Sequence, residues 1–345
     1  MENKLAVFGI MVAVLAVLIV PAAAQEYDIF HLVPENSNCH GTGCNTTVWV
    51  KLNTSHSDID GFQAGIIFDP DVVNVTNVEK GKDDWLFWAW YVDDYGDKKY
   101  VKISGAIGPF GPGEVELGKM TLEGNNTGLS ALHFGNDSEL EADRTELANI
   151  SGTLCGPPWM PCDTEDGTFA CTETFTKHLE PGWNLISPPL FNNTDMTVAN
   201  IIEESVGTDN YDALYKYNAS THSFVALSSS DTMENGVGYF IHITNPAGAD
   251  WTYEGAPVTS MDVSMEQGLN MIGWLNCTKR INETSSLAGN SVYVARWNAT
   301  SQKFEVYEPH APKPETDMFN DFWTLERGEG YFVAAKTAFT LSESC

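Results

Sequence analysis

The side chains in this sequence that could do chemistry are mainly carboxylates, and their spacing selects no reaction. The 345 residues include 47 Asp and Glu and eight His. No His pair has HExxH spacing, and no Ser stands in a Gly-x-Ser-x-Gly motif. Glycoside hydrolysis needs two carboxylates at a fixed separation across a cleft, and the many acids here single out no such pair. The sequence therefore predicts a binding or structural protein and not an enzyme.

An aromatic run is the strongest candidate binding site. Residues 83–91 read DDWLFWAWY, and alternation along a strand would place large apolar side chains on both faces. One face would carry Leu86, Trp88 and Trp90, and the other Trp85, Phe87 and Tyr91. Because a strand with one buried face is normally polar on the other, either another part of the chain covers one side or that side is exposed. An exposed side would offer a platform for sugar rings or a protein partner. The candidate binding residues are Trp85, Trp88, Trp90 and Tyr91.

Acidic residues cluster in predicted turns that could hold a structural calcium ion, with solvated turns as the alternative. The residues are Asp58, Asp60, Asp69, Asp71, Asp93, Asp94 and Asp97. A further acidic loop, DTEDG at 163–167, places Cys162 and Thr164 where a calcium loop has acidic ligands. No other cofactor is expected.

The cysteines predict disulfides and an oxidising compartment. The chain has seven, namely Cys39, Cys44, Cys155, Cys162, Cys171, Cys277 and Cys345. Local pairing gives Cys39–Cys44, and Cys277–Cys345 would hold the end of the chain. One of the remaining three is then free or bonded to another chain. A zinc site within 39–44 is the alternative, but no second ligand pair follows at finger spacing.

The first 24 residues predict a cleaved secretory signal peptide. Lys4 precedes an apolar run from Leu5 to Val20, and Ala22 and Ala24 supply small residues before the expected cut. A membrane anchor is the alternative, but the run falls short of the roughly 20 residues that span a bilayer. The later sequence contains no other candidate transmembrane segment.

Asn-x-Ser/Thr sequons, which occur eleven times, agree with export. Their asparagines are Asn45, Asn53, Asn74, Asn125, Asn136, Asn149, Asn192, Asn218, Asn276, Asn282 and Asn298. They predict a glycoprotein whose sequons mark surface turns, with simple Asn and Thr enrichment in loops as the alternative.

The charge narrows the range of partners. A formal net charge of −29 repels phosphate, so binding of nucleic acid is excluded and docking on anionic lipid is disfavoured. Hydrophobic residues make up 43% and aromatic residues 11%, which is a globular composition.

Short alternating segments dominate the first part of the mature chain. Residues 47–52, 62–68, 72–78, 85–92 and 100–104 read as strands, with turns at 69–71 and 93–97. Many short strands at about ten-residue spacing predict an all-β sandwich or jelly roll.

Two longer stretches in this part of the chain resemble cohesin modules. DIDGFQAGIIFDPDVVNVTNVEKG (58–81) is similar to their early strands, and GEVELGKMTLEGNNTGLSALHF (113–134) to their later ones. The resemblance covers about 110 residues and implies a cohesin-like jelly-roll sandwich at 25–154. It also implies that a sheet face docks a dockerin-like module of another protein, since this chain has no dockerin calcium repeat. Because cohesins share their sandwich with carbohydrate-binding modules, polysaccharide binding is the second hypothesis.

The rest of the chain reads as a connector and two repeats. Residues 155–176 form a Cys- and Pro-rich connector. GWNLIS (182–187) then recurs as GLNMIG (268–273), and ENGVGYFIHI (234–243) as ERGEGYFVAA (326–335). The period of roughly 85 residues predicts tandem β-modules at 177–260 and 261–345, with at most a short helix each. They resemble a Gly-Trp-Asn-Leu-Ile repeat of exported archaeal and bacterial surface proteins.

Two local features of the repeats have physical interpretations. Residues 198–206 have helical spacing after Thr197, a capping residue. The paired glycines in GVGYF and GEGYF indicate a tight bend or a close backbone approach just before a strand.

The function predicted from the sequence is non-catalytic adhesion or scaffolding outside the cell, through a dockerin-like partner. The alternatives are polysaccharide binding and a structural subunit of an envelope lattice, with self-assembly or an intermolecular disulfide.

Overall fold

The computed structural model describes residues 28–149, 152–155, 162–312 and 319–345. It is 59% strand and 8% helix, which confirms the predicted all-β class. The predicted signal peptide at 1–24 lies outside the described residues.

The described residues from 28 to 179 form thirteen strands and one short helix. The strands are β1 (Asp28–Val33), β2 (Asn36–His40), β3 (Asn45–Thr54), β4 (Ile59–Phe68), β5 (Val73–Lys80), β6 (Phe87–Tyr95), β7 (Lys98–Phe110), β8 (Gly113–Gly124), β9 (Gly128–Phe134), β10 (Glu146–Asn149), β11 (Gly152–Cys155), β12 (Asp163–Glu165) and β13 (Gly167–Leu179). Helix α1 (Asp137–Leu140) runs into a 3₁₀ turn (Glu141–Asp143).

These strands form two sheets that enclose one core. The first sheet has the order β12-β1-β3-β8-β5. In the second, β4 pairs with β9 and β10 along one edge and with β7 along the other, and β6 lies outside β7. Alternation along β4 turns Phe62, Ala64 and Ile66 into the core, where they are buried. The predicted sandwich is thereby confirmed.

The hairpin between β6 and β7 is tighter than the sequence predicts. Residues 93–95 continue β6, and only Gly96 and Asp97 form the turn, because Tyr95 already pairs with Lys98. Gly96 has a φ of +63°, the left-handed conformation that two-residue hairpin turns require. The strand also begins at Phe87 and not at Trp85.

Residues 163–176, expected within the connector, are mostly strand. β12 pairs in parallel with β1, and the first half of β13 pairs with β2 and β9. Phe169 and Cys171 point into the sandwich core. The second half of β13 pairs with residues 249–255 of the first repeat, so one strand belongs to both units.

The two repeats contain the remaining strands. The first has β14 (Gly182–Ile186), β15 (Leu190–Phe191), β16 (Tyr211–Asn218), β17 (Ser223–Ala226), β18 (Tyr239–Ile243) and β19 (Ala249–Pro257), with a π-helix (Ala199–Glu203) and α2 (Glu204–Val206). The second has β20 (Ser260–Met265), β21 (Gly268–Gly273), β22 (Lys279–Arg280), β23 (Ser291–Asn298), β24 (Lys303–Tyr307), β25 (Thr324–Leu325), β26 (Gly330–Ala335) and β27 (Phe339–Ser344), with a 3₁₀ turn (Ile281–Glu283) and α3 (Ser285–Asn290).

The central sheets of the repeats correspond strand for strand. Their orders are β14-β18-β16-β17 and β21-β26-β23-β24. The helix expected after Thr197 is present, and Thr197 Oγ1 accepts a hydrogen bond from the backbone N–H of Asn200 at 3.4 Å. Its first turns are π-helical.

The repeats pack against each other through reciprocal contacts. Ile186 bridges to Glu329, and the corresponding Ile272 bridges to Val237. Gly236 and Gly328 have φ values of +78° and +80°. A Cβ on Gly238 would lie 2.7 Å from the carbonyl oxygen of Ile272. The paired glycines therefore provide both the bend and the close approach that the sequence predicts.

Candidate functional site

The outward side of the β10-β4-β7-β6 sheet, here called the front face, is the first candidate site. Its outward positions follow from alternation, since neighbouring positions on the same strands fill the core. They are Gly61 and Gln63 on β4, Phe87, Ala89 and Tyr91 on β6, Lys102 and Ser104 on β7, and Ala148 on β10.

One half of this sheet is covered by α1 and the 3₁₀ turn that follows. Leu140 packs there on Ile67 and Tyr100. Gly65 lies beneath the backbone of Asp143, where no Cβ would fit. The cover ends at Asp143, which marks the border of the open half.

Asp143 anchors the cover by hydrogen bonds from the front-face strands. Tyr100 donates its hydroxyl to Asp143 Oδ2 at 2.6 Å, and Lys102 donates Nζ to Oδ1 at 2.6 Å. Burial opposes ionisation, yet the bonds from Lys102, Tyr100 and Tyr91 lower the pKa of Asp143 below its usual value. Burial and the nearby Asp143 carboxylate raise the pKa of Tyr91. These bonds fix Tyr91 at the edge of the open half.

The open half presents apolar side chains to solvent. Leu86 is 85% exposed, Phe87 56% and Tyr91 42%. Phe87 borders a depression of about 200 Å³, floored by Gly61 and Gly105. Exposed aromatic side chains beside a depression are typical of a surface that receives a partner side chain.

The structure corrects the predicted aromatic set. Trp85 is 4% exposed and packs edge-on against Phe62 and Phe110, with ring centroids 5.0 and 5.3 Å apart. It precedes β6, so the alternation used to place it does not apply. Trp88 packs against the sandwich core and reaches β8 at Gly118. Trp90 and Tyr91 are exposed, so only these two of the four lie at the surface.

One of the acidic residues expected to hold calcium, Asp69, makes other contacts. Asp69 Oδ2 accepts Lys98 Nζ at 2.6 Å, and Asp69 Oδ1 accepts the N–H of Asp71 at 3.0 Å. Burial opposes ionisation of the Asp69 carboxyl group, but the hydrogen bonds from Lys98 and the Asp71 N–H lower its pKa below the usual value. No group of three or more His, Cys, Asp or Glu side chains within the described ranges could hold a metal ion. Calcium binding stays a prediction.

Two predicted disulfides are confirmed. Cys39–Cys44 and Cys277–Cys345 are bonded, and Cys162 is disulfide-bonded as well. Cys171 is free and fully buried in the sandwich core. Its burial excludes it, in this fold, as a cross-link to another chain, since a partner thiol could not reach it.

The sequon asparagines lie at or near the surface. None of the ten whose side chains the structure describes is buried; Asn149 is the one outside that set. Glycosylation at these positions stays a prediction.

A second candidate site, which sequence reasoning missed, is the inter-repeat groove. This cleft of about 730 Å³ lies between the central sheets of the repeats. It is lined by Trp183, Tyr215, Tyr217, Phe224, Phe240, Leu269, Tyr293, Ala295, Trp297, Phe304, Val306 and Phe332. Phe224 and Phe304, which occupy matching positions, are 51% and 48% exposed. The sequence contains a signal for this groove. YKYNASTHSF (215–224) and ARWNATSQKF (295–304) are corresponding segments of the two repeats, and both carry aromatic side chains at their third and tenth positions.

The two ends of the inter-repeat groove differ in their hydrogen bonds. Trp183 N–H donates to Gln302 Oε1 at 2.9 Å, and Trp297 Nε1 donates to the Trp183 carbonyl at 2.8 Å. Gln302 corresponds to His222 in the first repeat, and both have a φ of +53°. His222 makes a hydrogen bond within its own hairpin, to Tyr217 at 3.5 Å.

The solved structures that resemble this chain cover fewer than half of its residues. No protein-family model matches the chain, and no curated protein matches its sequence. Solved structures that resemble it include a non-cellulosomal cohesin from the archaeon Archaeoglobus fulgidus, at 19% identity and a TM-score of 0.29, covering 43% of this chain and 91% of that one. A type I cohesin from Pseudobacteroides cellulosolvens has 12% identity and a TM-score of 0.32, covering 42% and 92%.

A type III cohesin module from Ruminococcus flavefaciens has 9% identity and a TM-score of 0.32, covering 43% of this chain and 88% of that one. Cohesins, which residues 58–81 and 113–134 resemble in sequence, are thus also among the solved structures that resemble this chain. Similarity at this level assigns no partner. None of the described helices has the length and hydropathy that a bilayer-crossing segment needs.

Proposed function

We propose that this protein is an extracellular adhesion or scaffolding protein whose front face docks a dockerin-like module of another protein. The observation that carries the proposal is the exposure of Phe87 and Tyr91 on the outward side of β6, with Leu86 exposed just before the strand. Large apolar side chains grouped at a surface mark sites of protein association. An aromatic anchor beside a depression is the usual centre of such an interface.

Charge defines the partner further. Asp93 and Asp94 are exposed at the end of β6, and the chain carries a net charge of −29. A partner with an apolar centre and a basic rim would complement this surface. Such complementarity speeds association mainly at low salt.

The test compares two pairs of exposed aromatic side chains. The purified chain, immobilised, is used to capture proteins from an envelope extract, alongside Phe87→Ala/Tyr91→Ala and Phe224→Ala/Phe304→Ala variants. We expect one partner to be retained by the wild type and the groove variant and lost by the front-face variant. Equal retention by all three, or loss only in the groove variant, would contradict docking at the front face.

Polysaccharide binding is a second candidate, favoured by the exposed rings at the mouth of the inter-repeat groove. Phe224 and Phe304 could stack on sugar rings, and Tyr217 and Trp297 line the wall behind them. On a glycan array, this candidate predicts signal that survives Phe87→Ala and disappears in the Phe224→Ala/Phe304→Ala variant. Absence of wild-type signal on all glycans would exclude it.

A further inference from the structure

Three sulfur atoms lie together at one end of the sandwich core. Cys39 and Cys44 are bonded to each other. Cys171 lies on the neighbouring parallel strand, in register with Cys39. Cys171 belongs to the core, and both bonded cysteines pack against that same core. The free thiol and the disulfide therefore share one apolar environment.

Gly124 shows how close these sulfurs are. A Cβ on Gly124 would lie 2.8 Å from Cys171 Sγ and 3.1 Å from Cys44 Sγ. Because both distances start from one point, the two sulfurs are no more than about 6 Å apart. Cys171 Sγ also donates a hydrogen bond to the carbonyl of Gly41 at 3.3 Å, so the thiol contacts the loop that the disulfide closes.

An alternative pairing fits the backbone as it stands. Neighbouring strands lie about 4.8 Å apart, and the Cα atoms of disulfide-bonded cysteines lie about 4.4–6.8 Å apart. In-register residues on paired strands point to the same side of the sheet. Cys39 and Cys171 meet both conditions.

We propose that Cys39, Cys44 and Cys171 form an exchangeable disulfide site, in which Cys171 replaces Cys44 as the partner of Cys39. The Cys171 thiolate attacks Cys39 Sγ, the Cys39–Cys44 bond breaks, and its electron pair leaves on Cys44. The proton lost by Cys171 is returned to Cys44. One disulfide and one thiol are present before and after, so no oxidant or reductant is required.

Exchange changes which segments of the chain the disulfide joins. Cys39–Cys44 closes a short loop with a sequence separation of 5. The alternative bond would join β2 to β13, and β13 continues into the first repeat. The sandwich would then be linked covalently to the strand that leads to the repeats.

The thiolate requirement makes exchange depend on pH. Burial raises the pKa of the Cys171 thiol, so little thiolate forms near neutrality. His40 is a titratable group on the strand paired with Cys171. It lies on the other side of β2, 3.4 Å from Thr172 Oγ1 and 3.6 Å from Glu254. No charged side chain is described beside the Cys171 sulfur, so deprotonation of Cys171 controls the rate.

The decisive experiment maps disulfides in the full oxidised chain. The chain is incubated at pH 6, 7 and 8 without oxidant or reductant, quenched with acid, denatured, alkylated and digested for mass spectrometry. We expect a Cys39–Cys171 peptide with alkylated Cys44, formed about tenfold faster per pH unit. A Cys171→Ser variant should give only Cys39–Cys44. Wild-type chain that shows alkylation at Cys171 alone, at every pH and time, would overturn the proposal.

A Cys44→Ser variant provides a second readout. It should contain a Cys39–Cys171 disulfide and no thiol at either position. The matched control is Cys277→Ser, which removes one partner of the other mapped disulfide and should leave Cys345 as a thiol. Two free thiols at Cys39 and Cys171, in variant chain whose Cys277–Cys345 bond has formed, would also overturn the proposal.

Discussion

Asn184 and Asn270 show how single residues define each repeat. In the first repeat, Asn184 Oδ1 accepts the N–H of Glu180 at 2.9 Å and Nδ2 donates to the Glu180 carbonyl at 2.7 Å. Asn270 makes the same pair of bonds to Glu266, both at 2.8 Å. Both side chains are buried. The Asn of the repeated motif thus holds the turn before its strand.

The first prediction follows from these bonds. Asn184→Ala or Asn270→Ala would remove two hydrogen bonds that a buried side chain makes to the preceding turn, at a cost of about 1–3 kcal/mol in the free energy of unfolding. Chemical denaturation would measure the change. Asn38→Ala, at an exposed position, is the control and should change stability by less than about 0.5 kcal/mol. Equal stability of all the variants would contradict this role of the buried asparagines.

The second prediction separates core from surface within the aromatic run. Trp85→Ala should lower the free energy of unfolding by about 3–5 kcal/mol, because it empties a buried site. Phe87→Ala, only two residues away, should change it by less than about 0.5 kcal/mol. Thermal or denaturant unfolding would measure both. Similar losses in the two variants would place Phe87 in the core and contradict the front face.

The sequence predicted a site in this run but selected two of its residues wrongly. Composition showed that apolar side chains exceed what one buried face can hold. The choice of face depends on where the strand begins, and β6 begins after Trp85. Trp85 instead packs against Phe62 and Phe110, and no local pattern contains these contacts between residues far apart in sequence.

At the scale of elements, strand prediction succeeded where alternation is regular and failed where cysteines and prolines dominate. β3 and β4 contain the segments predicted at 47–52 and 62–68, and β5 contains all but the first residue of the segment predicted at 72–78. β12 and β13 were missed because DTEDG and the nearby cysteines read as a connector. β13 is a strand because it lies between β2 and β9 and pairs with both, contacts between residues far apart in sequence.

The third prediction concerns the attachment of α1. His133 Nδ1 lies 2.5 Å from Asp166 Oδ2, and Nε2 lies 3.1 Å from Glu139 on α1. Burial opposes protonation, but the bonds to Asp166 and Glu139 raise the pKa of His133 above 6.5. The stabilisation from this contact is therefore complete below pH 6.5 and is lost as the pH rises through the raised value.

Measurement of the free energy of unfolding across a range of pH tests the direction of this pH dependence. Wild-type chain should lose stability through this contact as the pH rises above about 6.5 and through the raised pKa of His133, and His133→Gln should flatten that part of the curve. His222→Gln, which changes a histidine on an exposed hairpin, is the control and should leave the slope as in wild type. A steeper slope in His133→Gln would contradict the assignment.

For the molecule as a whole, the sequence predicted the two repeats but not how they pack. The recurrence of motifs at a period of roughly 85 residues predicts two units and says nothing about the contact between them. The structure shows reciprocal bonds: Ser187 N–H donates to the Gly328 carbonyl at 3.2 Å, and Gly273 N–H to the Gly236 carbonyl at 2.8 Å. Such a contact resembles the isologous interface of a symmetric dimer.

The fourth prediction uses this symmetry. A chain ending at Thr259 would expose the apolar side of the first repeat, where Leu185 and Phe240 now pack on Met271 and Phe332. A second copy of the first repeat is the best available substitute, so the shortened chain should form dimers while the full chain stays monomeric. Analytical ultracentrifugation would measure this. A folded monomer of the shortened chain, verified by circular dichroism, would contradict it.

The most direct test of the central claim is the equilibrium affinity of the captured partner for defined variants of the whole chain. If the front face is the docking surface, Phe87→Ala should weaken binding at least about tenfold, and Phe304→Ala should leave the dissociation constant unchanged. Wild-type affinity in Phe87→Ala/Tyr91→Ala, or a loss confined to Phe304→Ala, would contradict docking at this face.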